Sequence, residues 1–183
     1  MSQKSLHIRP TSSLVRKVLF DTIATNVPGA SFLDLFAGTG SVGLEALRRG
    51  ASSGTFVESD RAVLRVLRSN IDLAGAEASC KVFPMDAISF LKRRCDLPEF
   101  DIIFADPPYE KGYLSILVHI LFHRERLPRR ALVIQVSRRE LLGVELPVGF
   151  PIREKKIGDT ILLLAAGHAV AGAVAGRAAS KVQ

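Results

Sequence analysis

Four consecutive residues, Asp106-Pro107-Pro108-Tyr109, place a carboxylate, two prolines and an aromatic ring directly behind an apolar run from Phe100 to Ala105. The run reads as a short buried strand. Neither proline has a backbone N–H to donate, so strand pairing stops there and the chain is stiffened. The Asp106 carboxylate and the Pro107 carbonyl become fixed acceptors at the strand's carboxyl end, with the Tyr109 ring beside them. Ligands of open α/β sheets bind outside those carboxyl ends. Two acceptors and a flat face fit a planar base that carries an exocyclic amino group. The plain structural alternative is a proline-terminated strand followed by a capped turn.

A second constellation lies upstream, in Asp34-Leu35-Phe36-Ala37-Gly38-Thr39-Gly40-Ser41-Val42-Gly43. Gly38, Gly40 and Gly43 fit the G-x-G-x-x-G pattern of nucleotide-binding turns. Glycines there let backbone approach a ligand closely, and the amino end of the helix that follows favours negative charge. Glu58 ends the next expected strand, where an acid can accept both hydroxyls of a ribose. To this point a nicotinamide dinucleotide and S-adenosylmethionine are equally allowed. Two acids tilt the choice. Asp34 precedes the glycines, where it would attract an amino acid's ammonium group and repel a pyrophosphate. Asp86, followed by Ala87, ends the third expected strand, where its carboxylate can accept from an adenine amino group. Acids at 34, 58, 86 and 106, at successive strand ends, suit S-adenosylmethionine, which has an ammonium, a sulfonium and no phosphate. The turn Ala37-Gly38-Thr39-Gly40 would then hold that cofactor.

The elements that must position these residues follow from periodicity. Leu14, Val15, Val18, Leu19 and Ile23 recur at helical spacing behind a cap at Thr11, Ser12 or Ser13, and Pro28-Gly29 would end that helix. Strands are expected at 31–36, 55–58, 79–83, before Asp106, and at 131–136. Helices are expected at 41–49, 61–73, from Asp86 to about 94, at 113–122 and at 138–142. Residues 151–157 and 160–164 read as two strands joined by the turn Gly158-Asp159. Strand–helix alternation closed by two successive strands predicts an α/β domain. Its sheet would be mostly parallel, covered by helices on both faces, with one antiparallel strand near an edge. The domain would span residues 1–166, and the Ala/Gly-rich segment 167–183 reads as a flexible tail.

The 183 residues carry 25 basic and 18 acidic side chains, for a net charge of +7 and a pI near 9.8. Seventeen of the basic residues are arginine, whose guanidinium forks onto phosphates. A polyanionic partner follows from that surplus. No apolar run reaches the roughly 20 residues of a membrane span, no secretion signal is visible, and Cys80 and Cys95 are too far apart for a metal knuckle. The expectation is a cytoplasmic monomer with no metal and no membrane contact.

With these motifs in place the chain resembles the bacterial small-subunit ribosomal RNA guanine-N2 methyltransferases, over roughly residues 9–165. The resemblance rests on Arg9-Pro10-Thr11 with Val15-Arg16 and Leu19-Phe20, the Asp34-to-Gly43 stretch, Glu58, Asp86-Ala87, Asp106-Pro107-Pro108-Tyr109 and Gly158-Asp159-Thr160. It implies a Rossmann-like class I methyltransferase fold with a seven-stranded sheet, and S-adenosylmethionine as the cofactor. It further implies small-subunit ribosomal RNA as partner, free or in a ribosomal particle, with Asp106, Pro107 and Tyr109 at the reacting amino group. Arg9, Thr11, Arg16, Pro108 and Tyr109 would contact substrate. Only eight residues precede Arg9, fewer than the family usually carries, so binding to naked RNA is expected to be weak. The rival classes are a non-catalytic RNA-binding or ribosome-assembly protein on the same fold, a DNA amino-group methyltransferase, and a dinucleotide oxidoreductase. The last is disfavoured because the Asp106-to-Tyr109 motif has no role in hydride transfer.

Overall fold

In a computed structural model, residues 12–93, 97–109, 111–122 and 127–167 are described. Arg9, Thr11, Cys95 and the segment 168–183 lie outside them.

Helix α1 (Ser13–Thr22) starts where Ser12 caps it, its Oγ accepting from the Val15 amide at 3.2 Å. Val15, Leu19 and Phe20 are its buried stripe. The helix stops before the expected Pro28-Gly29. The Asn26 amide turns back to the Ile23 carbonyl (2.8 Å), and the Arg130 guanidinium takes the carbonyls of Asn26 and Pro28 at 2.8 and 2.9 Å. Thr25 and Asn26 are weak helix formers, so this tertiary partner outweighs continued helix.

The remaining elements run β1 (Ser31–Asp34), α2 (Ser41–Arg48), β2 (Ser53–Glu58), α3 (Arg61–Leu73), β3 (Cys80–Pro84), α4 (Ala87–Arg93), β4 (Ile102–Ala105), α5 (Tyr113–Leu121), β5 (Ala131–Ser137), α6 (Arg138–Leu141), β6 (Ile152–Ile157) and β7 (Thr160–Ala166). The seven strands are ordered β3-β2-β1-β4-β5-β7-β6. β7 is antiparallel to both of its neighbours, and the other pairings are parallel. This is the expected mixed sheet. Its order reverses between β1 and β4, which opens a crevice at the carboxyl ends of those two strands.

β4 is buried throughout, and β5 is buried up to Val136, as a strand covered on both faces must be. On one face Leu33, Ile103, Leu132, Ile134 and Val136 pack against α4 and α5. On the other, Phe32, Ile102, Phe104 and Val133 pack against Val15, Leu19 and Phe20 of α1 and Val42 and Ala46 of α2. Period-two alternation continues this second face to Asp34, two residues past Phe32, and to Gln135, two past Val133.

Gly167 belongs to the domain rather than to the tail. It is buried, and its amide donates to the Arg130 carbonyl at 2.9 Å. A side chain there would collide with the Arg129 backbone. Among the described residues no helix is long and apolar enough to cross a membrane.

Candidate active site

The glycine turn is built by contacts that need glycine. Gly38 and Gly40 hold φ of 54° and 84°, the left-handed region that side chains resist. A Cβ at Gly40 would come within 2.5 Å of Leu67, and one at Gly43 would fall against the Phe56 ring. The turn is pinned by Ala37 N–H to the Val57 carbonyl (3.0 Å), Gly40 N–H to the Ala37 carbonyl (2.8 Å) and the Asn70 side-chain amide to the Thr39 carbonyl (2.8 Å).

Glu58, at the end of β2, is fixed by three backbone amides. Its Oε2 accepts from Gly38 at 3.0 Å, and its Oε1 accepts from Ser59 and Asp60, both at 2.8 Å. The carboxylate is thereby aimed at one cavity wall, and the Gly38 N–H is committed to it instead of to a ligand phosphate. Asp60 caps α3 through the amides of Ala62 (2.7 Å) and Val63 (3.1 Å). Asp86 accepts from the Ser89 amide at 2.9 Å and starts α4.

These pieces surround a cavity of about 560 Å³, within the usual range for a cofactor-sized ligand. Its walls include Gly38, Glu58, Asp86, Ala87, Asp106, Pro107, Pro108 and Tyr109, all singled out from the sequence. Leu35, Val57, Val63 and Met85 give it an apolar lining, and Phe36 and Tyr113 meet edge-to-face with centroids 5.4 Å apart. Four wall residues are acids (Glu58, Asp60, Asp86, Asp106), against the single ammonium of Lys111. Such a wall attracts a cationic ligand and repels a pyrophosphate. The residues present therefore fit S-adenosylmethionine better than a dinucleotide.

Other expected residues stand back from the cavity. Ala37, Thr39 and Gly40 shape the turn without lining the cavity, and Arg16 borders a separate depression with Glu45 and Arg48. Asp34 is buried behind the wall. One of its oxygens accepts from the Gly43 amide at 3.2 Å, and the Phe36 amide adds a weaker pull on the carboxylate. Burial pushes the Asp34 carboxyl up to about 7, against the opposing pull of the Gly43 amide, and the charge of Asp106 adds to the rise.

The sign of the consequence is fixed. Between the ordinary carboxylate pKa and about 7, the folded chain keeps a proton that the unfolded chain releases. This group's contribution to stability therefore falls as pH rises across that window and levels off above it. Asp34→Asn should gain melting temperature relative to wild type on going from about pH 5 to about pH 8. A pH-independent difference would remove the raised pKa.

Sequence reasoning missed Lys111, Tyr113 and Gln135 as wall residues, and treated Ser12, Asp60 and Thr160 only as cap or turn residues. A usable signal existed for Gln135, the only polar residue in the run Ala131–Val136. A polar group inside a buried strand is the informative exception.

Comparison with known proteins agrees with this geometry. The family described as Conserved hypothetical protein 95 matches residues 1–166. The ribosomal RNA small subunit methyltransferase D of Escherichia coli K12 is 34% identical over 154 residues, covering 84% of this chain and 76% of that protein. The chain belongs to the ribosomal RNA small subunit methyltransferase D family. Among solved structures, yhhF from Escherichia coli superposes with a TM-score of 0.74 at 32% identity, over 85% of this chain and 87% of that one. An RNA methyltransferase from Salinibacter ruber, solved with S-adenosyl-L-homocysteine, shares the fold (TM-score 0.65, 17% identity, 86% and 94% covered). The Rossmann-like methyltransferase fold and the S-adenosylmethionine cofactor expected from the sequence are borne out by membership in this methyltransferase family.

Proposed function

We propose that the protein methylates the exocyclic N2 of a guanine in small-subunit ribosomal RNA. The observation that carries this reading is the continuity of one cavity, from Glu58 and Asp86 on the β2 and β3 side to Asp106-Pro107-Pro108-Tyr109 beyond β4. S-adenosylmethionine supplies an electrophilic methyl group on a sulfonium. Glu58 accepts from the ribose hydroxyls, Asp86 accepts from the adenine amino group, and the apolar wall of Val57, Val63 and Met85 covers the adenine.

On the other side, the Asp106 carboxylate and the Pro107 carbonyl accept the two N–H bonds of the guanine amino group. That amine is a poor nucleophile because its lone pair is spread into the ring. Holding both N–H bonds turns the lone pair toward the methyl and stabilises the positive charge that grows on nitrogen as the N–C bond forms and the S–C bond breaks. The acidic methylated amine then releases one proton to water. Positioning and preorganised electrostatics supply the acceleration, with no strong base. Tyr109 stacks on the base and offsets the loss of its neighbours.

The phosphates fall to the basic surface. Lys17, Arg49 and Lys155 converge on exposed Asp21 and hold its carboxyl below the usual range, Lys17 first through its hydrogen bond. Affinity for a small-subunit RNA fragment should fall with salt, with a log–log slope of about −0.7 per phosphate contact. A flat response would make the charge an ordinary solvated surface. The reading itself is tested by comparing ribosomal RNA nucleosides from cells with and without the gene. One N2-methylguanosine should vanish from the small subunit when the gene is absent; an unchanged nucleoside profile contradicts it.

A further inference from the structure

Gln135 sits near the carboxyl end of β5. It follows Ile134, the register partner of Ala105, just as Asp106 follows Ala105 at the end of β4. It lines the same cavity, yet it is only 4% exposed and its Oε1 has no hydrogen-bond partner. Val133 and Leu162 around it are fully buried. An orphaned amide acceptor in such a place costs stability unless a ligand completes it. Ser12 and Val15 from the start of α1, and Thr160 at the start of β7, close this end of the cavity. Glu58 and Asp86 come from the β2 and β3 side of the sheet, separated from β5 by β1 and β4.

We infer that Gln135 reads the guanine edge next to the reacting amine, its amide accepting from N1–H and donating to O6, and so selects guanine over adenine. This rests on the guanine-N2 reading. Neighbouring strands lie about 4.8 Å apart, so acceptors just past the end of β4 and an amide on β5 address adjacent positions of one base edge. With Asp106 and Pro107 on the amino group, the next position of guanine is N1–H, a donor that satisfies Oε1. An adenine held by its own amino group presents N1 there, an acceptor, and leaves the buried oxygen unpaired. Rejection of a base that strands a buried polar group is the strong form of discrimination.

The test uses the full chain, S-adenosylmethionine and a small-subunit RNA fragment carrying the methylated guanine, or 2-aminopurine at that position. 2-Aminopurine keeps the 2-amino group and lacks both N1–H and O6. Wild type should prefer guanine by about 10–100-fold in kcat/KM, the range of one well-made bidentate contact. Gln135→Leu and the shape-keeping Gln135→Met should lose about that factor on guanine and little on 2-aminopurine, with unchanged cofactor affinity and no loss of melting temperature. Equal losses on both bases, no loss on guanine, or a large drop in melting temperature in both variants would make the amide structural and overturn the assignment. If wild type methylates adenine, or no guanine N2, the underlying reading fails first and the inference with it.

Discussion

Asp106→Ala is expected to lower methyl transfer by about 10²–10³, the usual cost of removing one preorganised group at a reacting centre. The fold and most cofactor affinity should be kept, because the work proposed for this residue is on the nucleophile. Asp106 follows β4, whose four residues are all buried, and Pro107 behind it is buried as well. The backbone that would present the carboxylate is therefore held by the core and survives truncation of the side chain. A second effect accompanies the loss: the Asp106 charge raises the pKa of buried Asp34, so the alanine variant should move that titration toward lower pH. Asp106→Asn keeps one acceptor oxygen and should retain part of the activity. Single-turnover transfer of labelled methyl, with thermal melting as the folding control, measures both. Full activity in the alanine variant contradicts the role assigned to Asp106.

Glu58→Ala is expected to weaken S-adenosylmethionine binding by about 1.5–3 kcal/mol for each charge-assisted bond lost, or roughly 10–150-fold for one bond. The structure adds a reason for a larger effect. Glu58 also accepts from the amides of Gly38, Ser59 and Asp60. Its removal cuts one of the ties between the glycine turn and the end of β2, leaving the Ala37-to-Val57 bond, and three donors must find other partners. Titration calorimetry with S-adenosylmethionine provides the measurement, and unchanged affinity in a folded variant removes Glu58 from the site. Tight binding of NAD to the wild type overturns the choice of cofactor.

The mixed sheet and the candidate site residues were readable for different physical reasons. Short apolar runs ending in Asp34, Glu58 and Asp106 announce buried parallel strands with acids at their carboxyl ends, whereas the run before Asp86 forms the half-exposed edge strand β3. The turn Gly158-Asp159 announces the hairpin that reverses β7. What stayed hidden depends on contacts between distant segments. The early end of α1 is set by Arg130, over a hundred residues away in sequence. Asp34 and Asp106 look alike in sequence as acids behind strands. Asp34 is enclosed by the start of α2 and withdrawn from the cavity, whereas Asp106 lines it. Gln135 carries no motif; its place as the lone polar residue of an apolar run was legible, but its unpaired oxygen shows only in the packing.

The central claim is that the carboxylate and carbonyl behind β4 present a guanine amino group to the methyl donor. It is tested most directly by incubating the purified protein with methyl-labelled S-adenosylmethionine and small-subunit ribosomal RNA, both free and in particles, and digesting the product to nucleosides. The account predicts label in N2-methylguanosine, strongly reduced in Asp106→Ala. Label in a methylated adenosine or cytidine, or none on either substrate, would contradict it.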